Sequence, residues 1–347
     1  MVSRQAFYAS ISSIFLSIII ISVFCIAPPA VSVPVLKDSS KHRVQRASAR
    51  AAPPQSVATL GAYRDISAAK QPVGFLANLT KHFSPRIISA RSIIVIDASS
   101  GQTLFSRAPD TPRQPASTIK VLTGMLAIDT LKNTQPVKVS PRAARQPASK
   151  VYLDQRKTYP ANDLINAVLL ASANDASVAL AEKIAGSEQQ FAQKMTGLAR
   201  RWGAKNTVCK TASGLTAKGQ KTTARDLAII FRRAMQDREF ATRMKRTKIK
   251  TVEGKLLRNH NKALWQIEGT LGGKTGYTNA ARQTYVGKFK RGTDEIIVAI
   301  MGSETMWGDI KRLVDYGFAR KKQLAAAASK KSGDRTAAAG SAPPTSG

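Results

Sequence analysis

Strand-like and helix-like patterns occupy different parts of this chain, and their order restricts its fold. Residues 163–235 are mainly helical in the spacing of their apolar residues. Short runs rich in β-branched residues flank or follow that stretch, at residues 93–97, 103–105, 249–252, 284–289 and 296–301. This order predicts an α+β sandwich with a helical insertion, in which the hairpin strands pair antiparallel.

Three short motifs stand in order along the chain and combine the groups that serine acyl transfer needs. They are Ser117-Thr118-Ile119-Lys120, Ser172-Ala173-Asn174 and Lys274-Thr275-Gly276. Together they supply a hydroxyl nucleophile, groups that carry protons and a cation that anchors a carboxylate. The first motif alone is weak evidence, because Ser67-Ala68-Ala69-Lys70 repeats its spacing, whereas each of the other two occurs once.

The first motif predicts a nucleophile and its base. Ser117 opens a segment whose apolar residues, from Ile119 to Ile128, recur at helical spacing. A helix N-terminus presents unpaired N–H groups and partial positive charge, which favour an alkoxide and a tetrahedral oxyanion. Lys120 follows one turn later on the same face, and its burial against the apolar helix would disfavour the ammonium form. The alternative is that Ser117 caps the helix beside a solvated lysine.

The second motif lies at a short polar joint between two helical patterns, where side chains can project into a cleft. Ser172 is predicted to relay a proton between Lys120, Ser117 and a leaving amine. The amide of Asn174 is predicted to orient a lysine or to hold a substrate carbonyl. The alternative is that Ser172 or Asn174 caps the second helix.

The third motif precedes Tyr277 and a segment, residues 283–289, that alternates as a strand does. Glycines on both sides of Lys274 leave room for a substrate backbone to pair as an added strand. Lys274 and Thr275 offer a positive charge and a hydroxyl to a carboxylate, so Lys274, Thr275 and Gly276 are predicted to bind substrate. The alternative is a glycine-rich hairpin with a surface lysine.

With these motifs in this order, residues 88–322 resemble the D-alanyl-D-alanine carboxypeptidases of the low-molecular-weight penicillin-binding protein family. Further segments resemble that family at residues 92–97, 212–215, 222–228, 259–262 and 315–318. The resemblance implies the penicillin-binding/β-lactamase-like transpeptidase fold, a mainly antiparallel sheet flanked by helices plus an all-helical subdomain. It also implies a serine-type D-Ala-D-Ala carboxypeptidase that trims peptidoglycan stem peptides through an acyl-enzyme and is inhibited by penicillins.

The resemblance adds roles that the residues alone do not give. In the family, the backbone N–H of the residue after K-T-G joins that of the nucleophile in an oxyanion hole, which implies Ser117 and Tyr277 here. Histidine is common at that position, so Tyr277 departs from the pattern, although only its backbone is used. The family also has a carboxylate-binding arginine, for which Arg282 is an unassigned candidate. The implied partners are the stem pentapeptide and covalent β-lactams, and no cofactor or metal is expected.

Three other functions compete with the carboxypeptidase. A DD-endopeptidase of the same family would use the same acyl-enzyme and differ in how its groove accommodates the amine side. A β-lactamase would share the motifs but needs an activated water, and no E-x-x-x-N-like element lies between Asn174 and Lys274. A non-catalytic wall-binding protein would have little reason to keep Ser117, Lys120 and Lys274 together.

The two ends of the chain differ in composition from the domain. Residues 7–27 carry no charge, so residues 1–30 are predicted to be a signal peptide or an N-terminal signal anchor. Residues 31–87 are predicted to form a basic linker rich in Pro, Ala and Ser, and residues 323–347 a disordered tail. We therefore expect a location in the cell envelope, periplasmic or extracytoplasmic, with membrane contact through the N-terminal segment.

The formal net charge of +33 comes from 54 Lys and Arg residues against 21 Asp and Glu residues. Such a surface attracts nucleic acid, anionic lipid and acidic wall polymers alike. The sequence resembles no nucleic-acid-binding module, so we expect phospholipid head groups and peptidoglycan carboxylates as counter-ions, with simple solubility as the alternative. Cys209 has no partner for an internal disulfide in the domain, and His42, His82 and His260 show no metal-ligand spacing.

Overall fold

The structure is a computed structural model that describes the backbone of residues 84–339 and the side chains of residues 84–328. The predicted export segment, residues 1–30, and residues 31–83 of the predicted linker lie outside the described residues. Within residues 84–339, no helix is both long enough and apolar enough to cross a membrane.

The strands form one main sheet and two short hairpin sheets. In chain order, the strands of the described range are β1 (Ser92–Asp97), β2 (Thr103–Arg107), β3 (Pro136–Lys138), β4 (Thr158–Pro160), β5 (Lys248–Lys250), β6 (Leu256–Arg258), β7 (Thr270–Thr278), β8 (Arg282–Arg291) and β9 (Asp294–Ser303). The main sheet is antiparallel throughout, with strand order β2-β1-β9-β8-β7, so β7 is an edge strand. The β3–β4 and β5–β6 pairs stand apart from it.

The helices lie mainly between β2 and β7 in the chain. They are α1 (Lys120–Thr130), α2 (Pro141–Ala144), α3 (Ala161–Leu169), α4 (Asn174–Ala185), α5 (Glu188–Arg201), α6 (Ala224–Ala234), α7 (Arg238–Lys245), α8 (Ala263–Gln266) and α9 (Met306–Ala339). Short 3₁₀ helices occur at Pro85–Ile87 and at Ala116–Ile119, and the second leads directly into α1. The predicted α+β class is confirmed by this arrangement.

The main sheet is covered on both faces, which explains why β1 reads as an almost continuous apolar run. Ile94 and Ile96 on one face belong to a core that includes side chains of α1 and α3 to α6. Ile93 and Val95 on the other face belong to a second core with α9. Alternate residues of a strand point to opposite faces, so a single strand serves both cores.

The predicted strands at residues 93–97, 103–105, 284–289 and 296–301 are confirmed as β1, β2, β8 and β9. The predicted strand at residues 249–252 is shorter, and it pairs with β6 instead of joining the main sheet. A turn cuts it short, because Thr251 N donates to Lys255 O and Gly254 N donates to Thr251 O.

A buried carboxylate joins the beginning and the end of the domain. Asp309, in the first turn of α9, is fully buried and accepts hydrogen bonds from Ala90 N at 2.9 Å and from Ser89 Oγ at 2.7 Å. Ser303 Oγ, at the end of β9, donates to it at 2.7 Å. Because hydrogen bonds satisfy the buried charge from both sides, the start of β1 is fixed against the start of α9.

The C-terminal helix crosses the boundary predicted between the domain and the tail, residues 323–347. Helix α9 continues through the predicted domain end at residue 322 and reaches Ala339, while residues 340–347 lie outside the described residues. The buried residues Ile310 and Phe318 fix the first turns on the sheet. The sequence beyond them is rich in alanine, the residue type with the highest intrinsic helix propensity. The helix therefore extends once its first turns have formed.

Candidate active site

The three motifs converge on one cleft of about 420 Å³ beside the edge strand β7. Five of their residues line its wall: Ser117, Ser172, Asn174, Thr275 and Gly276. Lys120 and Lys274 lie beneath that wall and are buried. The hydroxyls and amines predicted from distant parts of the sequence therefore meet at a single site.

The buried amine of Lys120 contacts the hydroxyl of Ser117. Its Nζ lies 2.9 Å from Ser117 Oγ, 2.7 Å from Asn174 Oδ1 and 2.6 Å from Ser213 O. The orientation of the Asn174 amide is fixed, because its Nδ2 donates to Pro147 O at 2.9 Å. A neutral amine has two hydrogens and one lone pair. In the neutral form, the two pure acceptors would take both hydrogens and leave the lone pair for the hydroxyl of Ser117.

The environment of Lys120 favours this neutral form. The side chain is completely buried, and desolvation together with the charge of Lys274 lowers its pKa well below the usual value. The carboxylates of Asp175 and Glu188 oppose this shift. Both are themselves occupied with backbone donors, since Asp175 accepts from Val151 N and Glu188 accepts from Ala212 N. Burial therefore outweighs the opposite charges, and Lys120 can act as a base.

Lys274 supplies the second buried amine beside the cleft. Its Nζ donates to Ser172 Oγ at 2.9 Å and to Thr275 O at 3.0 Å. Burial lowers its pKa to about 7. An ammonium group has three N–H donors, so these two contacts leave one of them unused. Ser172 thus contacts the lysine of the third motif, and the structure describes no hydrogen bond between Ser172 and Lys120.

The second motif is shaped by the backbone and does not cap a helix through its side chains. Ser172 adopts a left-handed conformation with φ of 58°, which turns the chain sharply between α3 and α4. Ala173 is the N-cap residue of α4 and makes no side-chain capping bond. The Asn174 side chain points instead to Lys120 and Pro147. The capping alternative therefore does not hold for either residue.

Glycines let Ser117 lie close to the edge strand β7. A Cβ at Gly276 would lie 2.7 Å from Ser117 N and 2.6 Å from Thr284 Oγ1. A Cβ at Gly214, whose φ is +80°, would lie 2.0 Å from Ala116 O. Backbone atoms cannot yield to a methyl group as a flexible side chain can. The close approach of the Ala116–Ser117 backbone to these segments consequently requires glycine at both positions.

The replacement Gly276→Ala tests this packing. The added methyl group should push β7 away from Ser117 and slow acylation by a fluorescent penicillin by about tenfold or more, since small misplacements at a reacting centre are costly. Stopped-flow labelling measures the rate. Gly197→Ala in α5 is the matched control, because a Cβ there meets only the end of the Arg201 side chain at 3.5 Å. Equal acylation rates in both variants would contradict the requirement.

Two residues of the sequence prediction lie near the rim. Tyr277 lines the cleft with a side chain that is 56% exposed, and its hydroxyl contacts Asn279. Arg282 forms a two-contact ion pair with Glu304 at the surface. It does not line the cleft, so this candidate for carboxylate binding is directed elsewhere.

Other residues complete the site without having been predicted. Ser213 contributes only a backbone carbonyl, which any residue type could supply, so its one sequence signal was its position in the segment 212–215 that resembles the family. Met306 and Trp307, at the start of α9, line the cleft together with Gln283. Met306 N donates a hydrogen bond to Gln283 Oε1.

His260 lines the cleft close to the two lysines, and partial desolvation and their positive charges lower its pKa to about 4. It is therefore neutral at neutral pH. The only sequence signal for His260 was its position in the segment 259–262 that resembles the family.

Comparisons with known proteins agree with this geometry. A family described as D-alanyl-D-alanine carboxypeptidase matches residues 79–305. The chain is similar to the D-alanyl-D-alanine carboxypeptidase DacB2 of Mycobacterium tuberculosis, with 37% identity over 245 residues that cover 67% of this chain and 84% of the relative.

Two solved structures have similar folds. A D-alanyl-D-alanine carboxypeptidase from Mycobacterium tuberculosis matches with a TM-score of 0.63 and 36% identity, over 67% of this chain and 91% of that one. Penicillin-binding protein D2 from Listeria monocytogenes, in its cefotaxime-bound form, matches with a TM-score of 0.62 and 25% identity, over 67% and 98%. The expected penicillin-binding protein fold is thereby confirmed.

Proposed function

The chain belongs to the D-alanyl-D-alanine carboxypeptidase family, and from this premise we propose that it removes the terminal D-Ala of peptidoglycan stem pentapeptides through an acyl-enzyme on Ser117. The observation that carries the proposal is the 2.9 Å contact between Ser117 Oγ and the buried Lys120. A hydroxyl beside a neutral amine is the arrangement that nucleophilic attack on an acyl carbonyl needs.

In the proposed reaction, Ser117 attacks the carbonyl of the penultimate D-Ala while its proton passes to Lys120. The oxyanion develops beside the backbone N–H groups of Ser117 and Tyr277, at the start of a helix. The C–N bond then breaks, and Ser172 passes its hydroxyl proton to the departing D-Ala while it takes one from Lys274, whose Nζ lies 2.9 Å from the Ser172 hydroxyl. Water cleaves the ester, which restores Ser117 and releases the shortened stem. Penicillins would acylate the same hydroxyl.

The substrate has a definite direction in this proposal. Lys274 and Thr275 bind its terminal carboxylate, so the leaving D-Ala occupies the end of the cleft near His260, whose pKa responds to the charge of Lys274. The stem exits at the other end, where Tyr277 pairs with Gln283 and Trp307 lines the wall. Gly276 leaves the backbone edge of β7 open for pairing along this path.

Incubation with a purified disaccharide pentapeptide tests the proposal. Mass spectrometry should find the disaccharide tetrapeptide and free D-Ala, and the Ser117→Ala variant serves as the matched control. A pentapeptide that stays intact after prolonged incubation with the wild-type protein would overturn the proposed activity.

Because the pKa of Lys274 is lowered, we expect substrate binding to depend on pH. Its pKa of about 7 in the free protein means that the ammonium form prevails below pH 7 and is lost above it. The KM for the pentapeptide should therefore rise above about pH 7, by up to about tenfold per pH unit. In Lys274→Arg the charge persists, so KM should vary much less over the same range. A wild-type KM that stays constant to about pH 9 would contradict this role, given that pKa.

Such a reaction locates the protein in the cell envelope, because its substrate lies outside the cytoplasm. Residues 1–30 would direct export and, if retained, contact the membrane. The net charge of +33 supports attraction to phospholipid head groups and to acidic wall polymers, and that attraction weakens as salt increases.

A further inference from the structure

One of the three contacts of the Lys120 amine comes from a loop. Ser213 O accepts from Lys120 Nζ at 2.6 Å, and Ser213 lies between α5 and α6, outside any helix or strand. A loop carbonyl keeps its place only if other bonds fix the loop. Whatever fixes this loop therefore also fixes one of the groups that orient the amine.

The peptide unit that precedes Ser213 is held through Ala212, which is fully buried. Ala212 N donates to Glu188 Oε1 at 2.9 Å, and Ala212 O accepts from Thr123 Oγ1 at 2.7 Å. Both polar groups of this buried residue are thus satisfied by side chains. Thr123 belongs to α1, the helix that carries Lys120, while Glu188 holds the loop from α5.

The side chain of Glu188 is turned away from its own helix. Glu188 is the first residue of α5, and Ser187 Oγ already caps that helix by accepting from Gln190 N. The hydrogen bonds described for its carboxylate come from Ala212 N and from the Arg142 guanidinium, at 2.6 Å. The side chain is only 7% exposed, and burying a carboxylate is costly unless it is hydrogen-bonded. Its contacts therefore point to the loop and not to the start of the helix.

Glu188 also acts on Lys120 through its charge. Burial and the charge of Lys274 lower the pKa of Lys120, whereas the carboxylates of Asp175 and Glu188 raise it. His260 faces the same amine, since its pKa is lowered by its partial burial and by the charges of both lysines. The hydrogen bond and the charge of Glu188 are separable, because glutamine keeps an acceptor oxygen and has no charge.

We propose that Glu188 is a positioning residue for the acylation of Ser117. It holds Ala212 N and thereby keeps Ser213 O on the amine of Lys120. Without that carbonyl, the amine would lose one of its two pure acceptors, and its lone pair would no longer be left for the serine hydroxyl. Glu188 does not line the cleft, so it acts through the loop alone. The inference rests on the proposed function, in which Lys120 is the base.

Two variants of Glu188 test the proposal by stopped-flow labelling with a fluorescent penicillin at a series of pH values. Glu188→Ala should lower the plateau rate at high pH by about tenfold or more, because the loop is released and small displacements at a reacting centre are costly. Glu188→Gln should restore that rate to within about threefold of the wild-type value, since its amide oxygen accepts from Ala212 N. Arg142 is 66% exposed, so its guanidinium can turn into solvent beside the new amide.

The pH profile of Glu188→Gln provides a readout that a merely structural role would not change. A carboxylate that raises the pKa of Lys120 is removed in this variant, so the amine stays neutral to a lower pH. The midpoint of the acid limb should therefore move to lower pH. Below the wild-type midpoint, the variant should keep a larger fraction of its plateau rate than the wild-type protein does. A loss of packing alone would lower the rate at every pH and leave the midpoint in place.

The matched control is Glu182→Gln in α4. It makes the same change in charge, and Glu182 also accepts a hydrogen bond, from Ser140 Oγ at 3.0 Å, but it does not contact the loop. Its plateau rate and midpoint should equal those of the wild-type protein.

The outcomes separate this inference from the proposed function. Acylation of Glu188→Ala at the wild-type plateau rate would refute the positioning role and leave the carboxypeptidase standing. An unmoved midpoint in Glu188→Gln would refute it as well, and this measurement decides even where Glu188→Ala proves unstable. If the wild-type protein neither reacts with the penicillin nor trims the pentapeptide, the proposed function fails and the inference fails with it.

Discussion

Ser117→Ala should abolish covalent labelling by a fluorescent penicillin and lower D-Ala release by about 10⁴-fold or more, as loss of the nucleophile does in serine hydrolases. The reason is chemical, since no acyl-enzyme can form without the hydroxyl. The structural cost should be small, because the substitution removes one oxygen that faces the cleft. Gel fluorescence after incubation with the label measures acylation, and thermal unfolding checks that the variant is folded.

A remote serine provides the comparison for this variant. Ser99 lies exposed in the loop between β1 and β2, so Ser99→Ala should be labelled at the wild-type rate. Persistent labelling of Ser117→Ala would show that another residue is acylated and would end the assignment of Ser117 as nucleophile.

Lys120→Met should slow acylation by about 10² to 10⁴-fold, the usual contribution of a positioned base. The methionine side chain is similar in length to that of lysine, but its sulfur is not basic enough to accept the serine proton. The change also leaves Asn174 Oδ1 and Ser213 O without their donor, at about 1–3 kcal/mol for each buried acceptor. Thermal unfolding should therefore show some loss of stability, and a second measurement is needed to separate the two effects.

The pH profile of acylation makes that separation. In the wild-type protein, the rate should fall as the pH drops through the lowered pKa of Lys120, because the ammonium form cannot accept a proton. In Lys120→Met, the residual acylation rate should not fall over this pH range. A purely structural defect would lower the rate at every pH and leave the pH-dependent decline in place. Lys205→Met, at an exposed position, is the control. Acylation at the wild-type rate in Lys120→Met would exclude Lys120 as the base.

The sequence predicted the site well where a side chain carries the chemistry, and poorly where the backbone does. The burial of Lys120 could be predicted because its helix has apolar residues at regular spacing. The contribution of Ser213 could not, since it acts through a carbonyl that every residue has. The pairing of Lys274 with Ser172 likewise depends on the distance between β7 and the α3–α4 joint, which local patterns do not encode.

Boundaries and surfaces were less predictable for a related reason. The helical backbone of residues 323–339 continues from turns of α9 that are packed on the sheet, and composition does not reveal that connection. The short hairpin of β5 and β6 gives a second example, since Lys248 lies opposite Arg258 in its register. Lys248 and Arg258 become neighbours only in that register, and the linear order of charges gives no sign of it.

The hydrogen bonds between Asp309 and the Ser89–Ala90 segment link positions as much as 220 residues apart, and this has a consequence for the life of the chain before it is folded. Contacts this distant in sequence form late and slowly, because a long loop must close first. Until α9 docks, the far wall of the cleft is missing and β9 lacks its cover. Met306 and Trp307 line the cleft, so we expect a chain that has not yet been synthesised through α9 to lack a complete cleft.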